Sequence, residues 1–142
     1  MLYTTLQQLT DRFGARMLVA LTDRAEVATG EIDESVVDRA LADTDAMIDG
    51  FLAARYTLPL AETPGLLADI AQVIAIWKLH VAAPDPKIET DYKDALRMLR
   101  DLASGTVRLQ VAGAEPAGTG GSGARITDRE RPLTEANLKG FI

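Results

Sequence analysis

The sequence predicts a mainly α fold: a compact helical bundle of about four to five helices, followed by a short β-strand and an extended C-terminal arm. Three observations predict it. Apolar residues recur at helical spacing through most of residues 1–105, and glycine and proline interrupt that pattern at helix-length intervals. Beyond Gly105 the pattern turns to alternation and then to a Gly-rich stretch. The chain therefore divides into a helical domain, 1–105, and a region 106–142 of strand, linker and docking arm.

The first helix lies in "TTLQQLTDRFG". Thr4 or Thr5 caps it, Leu6, Leu9 and Phe13 share a face, and Gly14 stops it. A short helix, "ARMLVALT", follows, then a polar loop, "DRAEVATGE". The next helix is expected from Asp33 to about Arg55. Asp33 is its N-cap, with Ile32 and Val37 placed as a hydrophobic staple. Val37, Ala40, Leu41, Thr44, Ile48, Phe51 and Leu52 form its apolar arc. Tyr56-Thr57-Leu58-Pro59-Leu60 cannot continue it, because Pro59 forbids helix and restricts the residue before it. That corner is read first as a packing device, with Tyr56 and Leu58 covering the edge of the core.

Thr63 and Pro64 read as N-cap and N1 of the fourth helix. It is apolar almost all round, so it is either the central helix or is covered by another subunit. "PDPK" ends it. The fifth helix, within "KIETDYKDALRMLRDLASG", puts Ile88, Tyr92, Ala95, Leu96, Leu99 and Leu102 on one face and stops at Gly105. After it, Val107, Leu109 and Val111 alternate with Arg108 and Gln110, the period of a strand, although the chain offers no obvious partner strand. "GAEPAGTGGSGA" has the composition of a flexible linker. The closing "RITDRERPLTEANLKGFI" is polar except for Leu133, Leu138, Phe141 and Ile142, the pattern of an arm that docks on another surface.

Composition narrows the function classes. The 142 residues are 47% hydrophobic and 25% charged, which suits one globular domain with an appendage. With no cysteine, disulfides, thiolate metal sites and cysteine nucleophiles are excluded, in keeping with cytosolic synthesis. Neither a signal peptide nor a membrane-spanning run is expected. Net charge is −6, unevenly placed: residues 1–105 hold 10 Lys/Arg against 17 Asp/Glu, and residues 106–142 hold 5 against 4. An acidic body argues against binding nucleic acid by neutralising phosphates. It suits a surface past which DNA slides without sticking.

The motifs that suggest chemistry do not hold. Gly118–Gly123 satisfies G-x-G-x-x-G literally, but it follows a half-polar strand and opens no amphipathic helix, so it reads as linker. "DTDAMIDG" begins like a calcium loop, yet Met47 occupies a ligand position and no Glu follows at the twelfth place. His80, the single histidine, ends an apolar helix and reads as a packed or helix-end residue. No catalytic group stands out, and neither enzyme activity nor a cofactor is expected.

Two features keep a functional reading beside a structural one. Arg55 lies on the apolar side of its helix, either snorkelling or meeting terminal carbonyls, or else anchoring a subunit interface together with Tyr56. Glu34, Asp38, Asp45 and Asp49 line up at helical spacing, the pattern of a solvated flank and, less simply, of a cation site.

Taken together, these segments resemble the Mu-like prophage head–tail connector (adaptor) proteins. The resemblance runs through "TTLQQLTDRFG", "LVALTDR" and "GEIDESVVDRALADTDAMIDGFLAARYTLPL". It continues in "PGLLADIAQVIAIWKLH", "YKDALRMLRDLASGTVRLQV" and "RPLTEANLKGF", covering nearly the whole chain in order. "IDGFLAARYTLPL" is its most specific part. The closing segment departs from the family pattern at Leu133 and Ala136. The resemblance implies a structural virion protein without enzyme activity. It implies a ring, typically of twelve copies, below the portal protein, to which the next neck or tail-completion protein attaches. DNA would pass through the channel without specific binding, and the acidic row Glu34, Asp38, Asp45 and Asp49 would face it. Val107, Leu109 and Val111 would complete a sheet on a neighbour, and Leu133, Leu138, Phe141 and Ile142 would anchor the arm. A small cytosolic interaction module or regulator is the alternative the same residues allow.

Overall fold

In a computed structural model of the protein, residues 2–111 are described, and they form five helices. The expected helical bundle is what the chain builds. α1 spans Leu6–Phe13, α2 Ala15–Thr22, α3 Glu34–Leu52, α4 Gly65–Leu79 and α5 Pro86–Ser104.

Local chemistry sets the boundaries. Thr5 caps α1 by accepting from Gln8 N at 3.2 Å while the Gln8 side chain accepts from Thr5 N at 3.2 Å, a reciprocal box. Gly14, at φ +90°, lets the chain turn straight into α2. The Asp23 carboxylate then gathers the backbone N–H groups of Thr29 and Gly30, which closes the loop before α3 and holds its own pKa below the usual carboxylate range. Asp33 caps α3 through Ser35 N at 3.0 Å. The Ser35 hydroxyl, followed by backbone N–H groups, lowers the Asp33 pKa. Asp85 caps α5 with Pro86 at the first helical position, and Gly105, left-handed at φ +84°, ends it.

Two boundaries differ from expectation. α3 stops at Leu52 and not near Arg55, because Arg55 N and Tyr56 N both turn back to Leu52 O and tighten the last turn. α4 begins at Gly65, with Pro64 as its N-cap, whereas Thr63 was expected to cap. Pro64 is extended at ψ 148°, and its carbonyl accepts from Leu67 N and Ala68 N, so it starts the helix without a side-chain cap.

α4 is the central helix, packed against α1, α3 and α5. Its buried residues run from Leu67 to Leu79 and serve two neighbouring cores. The larger core gathers Ile48, Leu52, Tyr56, Leu67, Ile74, Leu99 and Leu102. The smaller gathers Leu9, Leu18, Val37, Leu41, Ile76 and Leu79, with Ile32 packed against it. Trp77 stacks on Tyr92 at 3.9 Å between centroids, fixing α5 along α4.

The expected strand is not there. Among the described residues no strand occurs, and residues 107–111 run without a ladder. The alternation nevertheless reports their sidedness: Leu109 and Val111 are buried, Val107 is half-buried, and Arg108 and Gln110 are exposed. The segment lies on its own body, anchored by side chains and single hydrogen bonds. The linker, the Gly118–Gly123 motif and Leu133, Leu138, Phe141 and Ile142 lie outside the described residues.

Candidate functional site

The corner after α3 and the segment after α5 meet, although they are about fifty residues apart in sequence. Tyr56 is 2% exposed, and its hydroxyl accepts from Leu109 N at 2.9 Å. The aromatic ring fills the larger core while its polar tip satisfies a buried amide of the returning chain. Leu58 and Leu60 pack on the same core, with Leu58–Pro59 in the cis form. Tyr56 is thus a packing residue of its own chain and not an exposed interface anchor. The same holds for Leu109 and Val111, which cover the core of their own chain and are not an edge open to a neighbouring sheet.

Arg55 does meet helix-end carbonyls, but those of another helix. Its Nη1 donates to Ser104 O at 3.2 Å, at the C-terminus of α5. The guanidinium lies over Gly105, and a Cβ on that residue would fall within it. The Arg55 Nε is buried without a hydrogen-bond partner among the described residues. His80 ends α4, with Nδ1 2.8 Å from Ile76 O, as a helix-end histidine should.

The acidic row on α3 divides in two. Asp45 accepts from Tyr3 N at 3.1 Å, and Asp49 accepts from the Tyr3 hydroxyl. Both carboxylates are half-buried and hold the N-terminal segment against α3. Burial, with the hydrogen bond and charge of Asp49, pushes the Tyr3 hydroxyl well above its ordinary range. Burial also raises Asp45. Only Glu34 and Asp38 remain exposed.

Sequence spacing did not reveal a basic cleft on the other side of α3. Arg24, Ser35, Val36 and Arg39 line a cavity of about 210 Å³. Beside it, Arg24, Arg39 and Lys78 share a smaller one with Asp43. Arg24 is held in place by donating from Nε to Leu21 O at 2.9 Å and from Nη2 to Leu79 O at 2.6 Å. Among the described residues none of these three cations is in an ion pair. Their positions, 24, 39 and 78, come together only through the packing of α2, α3 and α4. Near them Val81 is 80% exposed, an apolar side chain with little cover among the described residues.

Among the described residues no group of acidic or histidine side chains is arranged to hold a metal ion. No helix there is long and apolar enough to cross a membrane. The family described as Bacteriophage Mu, Gp36 matches residues 3–127. Gene product J of Escherichia phage Mu is 34% identical over 140 residues, covering 99% of each chain. The Mu-like prophage FluMu protein gp36 of Haemophilus influenzae is 28% identical over 141 residues, again covering 99% of each.

Proposed function

The chain belongs to the Bacteriophage Mu Gp36 family, proteins of Mu and Mu-like prophages, and on that premise we propose that it is a head–tail connector. In this reading it is a structural virion protein of the neck. Copies form a ring below the portal protein, the next neck or tail-completion protein attaches to them, and DNA leaves the head through their channel. The observation that carries the reading is the end-to-end match with the Mu and FluMu proteins, which extends past the helical body into the arm. The resemblance of "IDGFLAARYTLPL" and "RPLTEANLKGF" to connector proteins supports the finer assignment.

The architecture suits the role. A small body built around one central helix is a rigid unit that can be repeated about an axis. The chain returns across its own body at Val107–Val111, held there by the Leu109–Tyr56 hydrogen bond. The test is co-purification with the portal protein of the same prophage, using the full chain and a version ending at Ala112, with both imaged for ring density. Ring density that weakens on truncation is the expected result. Absence of portal binding by the full chain would refute the connector role and favour a helical interaction module with another partner.

A further inference from the structure

α3 carries opposite charges on its two flanks. At about 100° per residue, Glu34, Asp38, Asp45 and Asp49 fall within an arc of about 60°. Arg39 lies roughly 80–140° further round, with Gly50 close to its azimuth. Arg24, from the loop after α2, and Lys78, from α4, join Arg39, and the single carboxylate among them is Asp43. Glu34, Asp38, Arg39 and Gly50 are all exposed. None of Glu34, Asp38, Arg24, Arg39 and Lys78 is in an ion pair among the described residues.

Gly50 adds an independent observation. A glycine inside a helix is unfavourable relative to alanine. The fold does not require this one, since nothing lies within 4 Å of where its Cβ would stand. A missing side chain on an exposed helix face, about 16 Å along α3 from Arg39 on the same side, suits close approach by another backbone.

We infer that α3 is the contact between successive copies of this chain, the Glu34/Asp38 flank of one copy meeting the Arg24/Arg39/Lys78 flank of the next, with Gly50 about three turns further along the same side of the helix. The two flanks differ, so the contact is head-to-tail, the type that repeats into a ring when its rotation closes. The chain is itself a suitable acidic partner: residues 2–111 hold 17 Asp/Glu against 11 Lys/Arg. Charge complementarity of this kind sets register and excludes the like-to-like pairing. Asp45 and Asp49, already bound to Tyr3, hold the neighbouring N-terminal segment and contribute less. The closed ring rests on the connector reading; the pairing of the flanks does not.

A charge-swap experiment tests it. One full-length variant carries Glu34→Lys with Asp38→Lys, and a second carries Arg39→Glu with Lys78→Glu; circular dichroism verifies that each folds. Assembly is followed by sedimentation and by imaging, alone and with the portal protein. Each variant alone presents like charges to itself and should weaken self-association about tenfold or more. An equimolar mixture should assemble again, because each variant then meets its complement on both sides. Gly50→Leu should weaken assembly while leaving the isolated fold intact. The inference is overturned if the variants alone assemble as the parent does, or if the folded mixture stays apart. It is also overturned if the parent forms no oligomer in solution or on the portal. It falls equally if the second variant loses only the retention of duplex DNA. Rings on the portal that ignore the swap would sink this contact and leave the connector reading standing. Assembly that obeys the swap without portal binding would do the reverse.

Discussion

The two ends of this bundle are finished differently. Around the larger core, the chain supplies its own cover. Tyr3 bonds to α3, Tyr56 takes the Leu109 amide, Arg55 takes the last carbonyl of α5, and residues 107–111 lie across the top. Around the smaller core, α2, α3 and α4 leave a cleft with three cations that form no ion pair among the described residues, and an exposed Val81 nearby. Where distant segments converge on buried polar bonds, the surface serves folding. Where charge and apolar surface remain uncovered among the described residues, the surface is available for assembly.

The sharpest way to break the closed end is Tyr56→Ala, which empties a buried aromatic site and releases Leu109. It should cost about 3–5 kcal/mol, read as a lower urea midpoint. Tyr56→Phe keeps the ring but leaves the Leu109 amide without its acceptor. About 1–3 kcal/mol should be lost, and that amide should exchange its hydrogen faster than in the parent.

Titration distinguishes the ends in another way. Tyr3 is held neutral in the folded chain while its unfolded counterpart ionises near the ordinary value of 10.0. Its contribution is therefore complete below pH 10 and declines as pH rises above it toward the raised folded value. Parent stability should fall more steeply over that window than that of Tyr3→Phe, as measured by denaturation at successive pH values. An identical slope in both would show that the Tyr3 hydroxyl is not bound as described. The smallest effect belongs to the open end: Arg39→Ala should change monomer stability by no more than about 0.5 kcal/mol. A larger loss in thermal unfolding would mean that the cleft is part of the fold after all.

The parts of the molecule governed by local chemistry were legible in the sequence. The caps at Thr5 and Asp33, the stops at Gly14 and Gly105 and the apolar faces of α3 and α5 follow from neighbouring residues. Alternation at Val107, Leu109 and Val111 correctly showed which side is buried, but not whether a ladder exists. Side-chain period reports burial, and a ladder requires a second strand. Arg55 and Tyr56 were legible as unusual residues at a helix end. Their partners at Ser104 and Leu109 were not, since long-range bonds leave no mark in local spacing. The basic cleft was hidden for the same reason.

The all-round apolar character of α4 has a consequence for synthesis. As the chain leaves the ribosome, Leu79 emerges well before Ser104, and the side of α4 that α5 covers has nothing to lie against. At about 5–20 residues per second that interval lasts on the order of seconds. The helix that organises the finished protein is, for that time, the segment most in need of a chaperone.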